Sequence, residues 1–184
     1  MSLLNYSDKA IAFTTLTGWT QVGATAEYYY ATDAKHKPLV VTMGGVEMSE
    51  GTLTSLAVGE WAWGDPDTIG YDTITCRVTG DADPDTLTMK ASLALTLVDV
   101  TAAHSVGIMS IEIQSDEASD AKNVKMIRTN DSDVSFFEDT ISIPALDTVI
   151  LDHAIVLAAE EKFKIMSASE VIGIVLNAND IDNS

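Results

Sequence analysis

Asp81, Asp83 and Asp85 stand at alternate positions of Asp81-Ala82-Asp83-Pro84-Asp85, and a second acidic turn, Asp65-Pro66-Asp67-Thr68-Ile69-Gly70-Tyr71-Asp72, lies just upstream. Carboxylates at every second position supply the first ligands of a calcium loop, but such a cation takes about six to eight oxygens in all. The helix-flanked version of that site also needs Gly at its sixth position and a terminal Glu. Gly70 fills the sixth position of the first loop, but neither loop has the distal Glu or helical flanks. Solvated Asx turns, with each carboxylate bonding a nearby backbone N–H, are the simpler expectation. Asp81, Asp83 and Asp85 stay as weak calcium candidates, and no cofactor is expected.

Trp61 and Trp63 are the other conspicuous pair, two apart and so on one face of an extended strand. Exposed, they would stack on sugar rings. Buried, they would fill a core or an interface, the commoner use of aromatic area. Cys76 is the only cysteine, which excludes an intrachain disulfide framework, and its place in Thr73-Ile74-Thr75-Cys76-Arg77-Val78 suits an inert buried thiol. His36, His104 and His153 are scattered without metal-ligand spacing and read as surface or loop residues. No nucleophile elbow, zinc-protease helix, P-loop or dinucleotide fingerprint is present. Among so many carboxylates no pair is singled out for acid–base work, so a non-enzymatic protein is expected.

The elements that would position these residues are strands. Ile11–Leu16, Ala26–Ala31, Leu39–Met43, Leu53–Val58 and Glu60–Trp63 are short runs rich in aromatic, β-branched and apolar residues, punctuated by Gly. Gly44-Gly45 predicts a direct turn into Val46–Ser49. Tyr71–Val78 alternates, with Ile74, Cys76 and Val78 on the face expected to be buried. Beyond Asp85 the pattern restarts at Leu93, Leu95 and Leu97 and continues through Met109–Gln114, Val124–Ile127, Val134–Phe137, Thr140–Ile143, Val149–Leu151, Ile155–Leu157, Phe163–Met166 and Val171–Leu176. Ala158–Phe163 reads as a turn and Asn177–Ser184 as a frayed tail. The expectation is all-β: two small antiparallel β-sandwich domains of jelly-roll or immunoglobulin-like type, 1–85 and 86–184, with the boundary at Asp81–Asp85.

Charge narrows the partners. The 184 residues carry a formal charge of −18, and Arg77 and Arg128 are the only arginines. Nucleic acid and anionic membrane surfaces both require clustered cations, so neither is expected. The N-terminus lacks a basic start followed by an apolar run, and no run is long enough for a helical membrane span, which points to a soluble protein made in the cytoplasm.

The stretch Glu60-Trp61 … Gly64-Asp65-Pro66-Asp67 … Gly70-Tyr71-Asp72-Thr73, closing on Asp83-Pro84-Asp85, resembles a module of tailed-bacteriophage virion proteins, in which a GEW–GDxD–LGxxTxYVR–DPD pattern closes an N-terminal region. Val46–Thr52 is similar to the segment preceding it. The second half resembles a common phage β-sandwich through Met109–Gln114, Ile155–Ala159, Ser167-Ala168-Ser169 and Val171–Leu176. Glu160-Glu161-Lys162 stands where that family has a Gly-Asp turn. The resemblance implies a virion structural protein without an active site. It further implies a capsid decoration or accessory protein bound to the head in many copies, with the major capsid protein as partner and a homo-oligomeric state. A tail, neck or baseplate component is the alternative within the class, and a virion carbohydrate-binding adhesin using Trp61 and Trp63 is a further one.

Overall fold

The computed structural model describes residues 2–10, 12–118, 120–152, 154–170 and 172–182. Among the described residues the chain is built from strands, with only short 3-10 turns as helical elements, as the alternating patterns predict. It divides into two compact units, Phe13–Leu93 and a second made of Met1–Ala12 with Ala94–Ser184. The first unit is therefore an insertion between the first strand and the remainder of the second.

Strand β1 (Ser2–Ala10) belongs to the discontinuous unit. The inserted unit holds β2 (Thr14–Leu16), β3 (Trp19–Gln21), β4 (Tyr28–Tyr30), β5 (Val41–Met43), β6 (Val46–Glu47), β7 (Ser49–Glu50), β8 (Glu60–Gly64), β9 (Thr73–Arg77) and β10 (Met89–Ala91). Its two sheets run β2-β10-β5-β6 and β3-β4-β9-β8-β7. All their pairings are antiparallel except β7 with β8, which is parallel. Leu16, Val41, Met48, Trp61, Ile74, Cys76, Val78 and Met89 form the core. The β5–β6 hairpin turns on Gly44 and Gly45, with φ of +59° and +83°. Two left-handed residues in a row give the turn whose twist matches its strands, and glycine adopts that conformation at little cost.

The second unit continues with β11 (Leu95–Asp99), β12 (His104–Ser115), β13 (Lys122–Thr129), β14 (Ser135–Ile143), β15 (Thr148–Leu151), β16 (Ile155–Leu157), β17 (Lys162–Ser167) and β18 (Ile172–Asp182). One sheet runs β1-β18-β12-β15, with β16 also on β12, and the other β11-β17-β13-β14. Val106, Ile108, Ile111, Ile113, Val124, Phe163, Ile165 and Leu176 meet in its core.

Several expectations are corrected. The boundary at Asp81–Asp85 falls inside the inserted unit, because β10 beyond it pairs with both β2 and β5. The segment Asn177–Asp182 is not frayed: it extends β18, which lies between β1 and β12. Leu53–Val58 forms turns instead of a strand, and Val134–Phe137 and Thr140–Ile143 fall on a single long strand apart from Val134. In β9 both faces are buried, since Thr73 and Thr75 are covered as fully as Ile74 and Cys76. Alternation along Met109–Gln114 would set Met109, Ile111 and Ile113 on one face, but Met109 does not share it. A bulge between Ile108 and Ser110 breaks the two-residue period and leaves Met109 54% exposed.

The turn after β16 runs through Glu160-Glu161-Lys162. Glu160 has φ +62°, the left-handed conformation that suits Gly, and the Glu161 carboxylate accepts the Ala158 N–H at 3.0 Å. Glu160→Gly should therefore raise stability by about 0.5–1 kcal/mol, as relief of the left-handed strain outweighs glycine's greater unfolded-state entropy. A higher urea midpoint at unchanged slope is the expected reading.

Candidate functional site: an open, apolar sandwich edge

The acidic turns are structural. The Asp81 carboxylate accepts from Arg77 Nε at 2.8 Å, and Asp83 Oδ1 from the Asp85 N–H at 3.0 Å. Asp85 reaches back to the Gly18 and Trp19 N–H groups at 2.8 and 3.1 Å. The three weak calcium candidates are thus aimed at three different sets of protein donors, and no metal-holding group of His, Cys, Asp or Glu occurs among the described residues. The hydrogen bond to Arg77, followed by that residue's charge, holds Asp81 below the ordinary carboxylate range. Upstream, Asp65 accepts the Gly70 N–H at 3.1 Å and Asp67 the Gly23 N–H at 3.0 Å. Asp85→Ala removes one acceptor from two backbone N–H groups and should cost about 1–2 kcal/mol, measured by urea unfolding.

Trp61 is 3% exposed and lies in the core, while Trp63 is half-buried against the same cluster. Ala62 is buried as well, so β8 is covered on both faces and Trp61 is not displayed for sugar stacking. Cys76, opposite Trp61 in the β8–β9 ladder, is fully buried, and desolvation pushes its thiol well above the usual range. A neutral, covered thiol reacts slowly. Alkylation of Cys76 by iodoacetamide should be undetectable in the native protein and appear only as unfolding exposes it.

His36 is buried, not on the surface. Its loop is held to the sheet by Lys37, whose Nζ bonds Glu50 at 2.5 Å and lies 5.9 Å from the Trp61 ring centre. His104 is half-buried with Nδ1 3.1 Å from Asp180 Oδ1, and His153 lies outside the described residues.

The feature that sequence reasoning missed lies along one side of the unit containing β11–β18. There β14 ends one sheet, while β15 and β16 lie beside β12 in the other. A cavity of about 370 Å³ opens between them, lined by Met126, Arg128, Phe137, Asp139, Leu151 and Ile155, with Ala154 and Val156 completing it. Register explains the lining: Arg128 faces Phe137 and Met126 faces Asp139 across the β13–β14 ladder, so their side chains share a face. Two apolar side chains of this lining stand exposed, Phe137 at 44% and Val156 at 63% accessible.

The signal was present in Phe136-Phe137. Strict alternation sets the two rings on opposite faces, but a bulge leaves Phe136 out of the β13–β14 register, and both rings stand partly exposed. Arg128 secures the site from within, donating to Val156 O at 2.9 Å and Glu161 Oε2 at 2.8 Å with its guanidinium 5.2 Å from the Phe136 ring centre. A concentration of exposed apolar side chains beside a strand edge is suited to docking.

No family model and no curated protein matches this chain. Two solved structures share a remote likeness. One is an uncharacterized protein of Listeria monocytogenes EGD-e in complex with glucose, magnesium and calcium, at TM-score 0.28 and 9% identity over 77% of this chain and 17% of that one. The other is a cycloalternan-forming enzyme from Listeria monocytogenes with a pentasaccharide substrate, at TM-score 0.27 and 9% identity over 83% of this chain and 20% of that one. The chain thus spans a fifth or less of either protein's length, and likenesses this distant carry no functional argument.

Proposed function

We propose that the chain is a non-enzymatic structural protein of a tailed-bacteriophage virion, a decoration or accessory protein that docks on the head in many copies. The major capsid protein is its partner, the protein is a homo-oligomer, and it reaches the virion after synthesis in the host cytoplasm. The virion assignment rests on the resemblance of Glu60–Thr73 and Asp83–Asp85 to virion proteins. The observation that supports docking is the cavity beside the β14 edge, with Phe137 and Val156 exposed in its lining, on a protein of charge −18. High charge keeps the unattached protein soluble, and the exposed side of this cavity is available to a specific surface. A modest interface suffices where many copies bind a symmetric shell, because avidity compensates.

Both arginines are engaged by carboxylates, Arg77 by Asp81 and Arg128 by Glu161, which disfavours phosphate backbones as partners. Cryo-electron microscopy of the particle with quantitative mass spectrometry tests the reading. Copies on the order of hundreds, located on the head, are expected of a decoration protein, whereas about six or twelve would move it to the tail, neck or baseplate. Absence from purified particles would sink the proposal.

A further inference from the structure

We infer that the open edge at β14 binds an extended, cationic segment of a partner protein by strand addition, with every second side chain of that segment entering the groove beside Phe137 and Asp139. The inference deepens the docking reading above and rests on it for the existence of a partner.

Three observations carry it. First, β14 is nine residues long and, among the described residues, pairs on one side only, with β13. Its outer backbone groups are the template that an added strand uses, and main-chain hydrogen bonds would supply affinity. Second, the strand has an inward set. Phe137, Asp139 and Ile141 face Arg128, Met126 and Val124 across the ladder, and the first two of each set line the cavity. A strand laid along β14 would point alternate side chains into that space, where Leu151 and Ile155 form the opposite wall. The occupant therefore carries apolar residues at alternate positions.

Third, the charge around the opening is one-sided. The basic groups nearby are matched at home: Lys125 by Glu138, Arg128 by Glu161, and Lys162 and Lys164 by Asp133. Asp139 in the groove, and Asp131 and Glu160 beside Phe136 at one end of the edge, form no ion pair with a described residue. A Lys or Arg on the incoming segment has Asp139 to meet inside the groove and further carboxylates at its end. Complementary charge of this kind selects partners and speeds encounter.

The same charges weigh against a second copy as the occupant. Antiparallel pairing of two β14 strands about their midpoint would set Asp139 opposite Asp139, and like charges directly opposite destabilise a ladder. The acidic residues thus block self-pairing while favouring a basic strand.

The test begins with a library of random ten-residue peptides displayed on a carrier and selected against the intact protein. The expected pool is rich in peptides with alternating apolar residues and a Lys or Arg excess. Binding of a selected peptide should fall about tenfold or more on Asp139→Lys, and also on Phe137→Ala, with melting temperatures within a few degrees of wild type. Hydrogen exchange should show new protection in β14. Failure to enrich any pool, an enriched pool without basic excess, or binding indifferent to both variants would overturn the inference. So would self-association of the wild type that Phe137→Ala abolishes, which would make a second copy the occupant. Particle occupancy separates this inference from the reading it rests on. Wild-type protein absent from particles defeats the docking reading, whereas wild type and Asp139→Lys present in equal copies defeats the strand-addition inference alone.

Discussion

Trp61→Ala is expected to destabilise the Phe13–Leu93 unit by about 3–5 kcal/mol, the cost of deleting a large buried aromatic side chain. Trp61 is the second residue of β8, opposite Cys76, and shares its core with Met48, Ile74 and Met89. Those neighbours belong to strands and turns anchored on both sides, so the void would not collapse. For a unit of this size the melting temperature should fall by roughly 15–30 °C. All three Trp lie in this unit, so fluorescence of the remaining Trp19 and Trp63 reports its unfolding directly. Trp61→Phe, which keeps a ring in the site, should lose much less. An unchanged melting temperature for Trp61→Ala would place the side chain at the surface and revive the sugar-stacking reading, because surface substitutions stay within about 0.5 kcal/mol.

The second large effect is expected from Asp133→Asn, at about 2–3 kcal/mol. Asp133 Oδ1 lies 2.6 Å from Lys164 Nζ and 3.5 Å from Lys162 Nζ, at the turn that joins β13 to β14. Lys164 is a buried residue, so removal of its partner leaves a poorly solvated ammonium. Breaking a fully buried pair costs about 3–5 kcal/mol, and the remaining contact of Asp133 with water reduces that figure. Asn is the informative substitution. Asp133 has φ +62°, which Asn tolerates, so the change isolates charge from backbone strain.

The pH dependence follows from the same contact. Burial raises the Asp133 pKa, but the hydrogen bond and charge of Lys164, with those of Lys162, outweigh it and hold the carboxyl below its ordinary value. A depressed folded-state pKa gives stability that is fully present above the unfolded value of about 3.9 and lost as pH falls through the folded value. Wild type should therefore lose this contribution in acid, and Asp133→Asn should show a flatter stability profile below about pH 4. Urea midpoints across pH, with hydrogen exchange to localise the loss to β13, β14 and β17, are the measurement. Parallel acid limbs for the two proteins would show that the pair contributes nothing.

The amino-acid sequence determined the strand class, most strand positions, the Gly44-Gly45 hairpin and the inert place of Cys76, because each depends on local backbone preference or on a two-residue period of polarity. The Asx turn of Asp83 was legible for the same reason, since a carboxylate and the N–H two residues on are neighbours in any chain, whereas Asp81 and Asp85 took other partners. Tertiary structure decided the rest. Asp85 reaching Gly18 and Trp19 joins residues more than sixty positions apart, and strand β1 pairing with β18 closes nearly the whole chain. Such pairings are chosen by which sheet edges meet, and local pattern does not encode that choice. The open edge at β14 belongs to the same category. Phe136-Phe137 set two large rings side by side, but only the arrangement of β14 against β15 and β16 made Phe137 part of a cavity wall. The bulge at Met109 shows the physical reason in miniature: one residue outside the ladder reverses a face that strict alternation assigns.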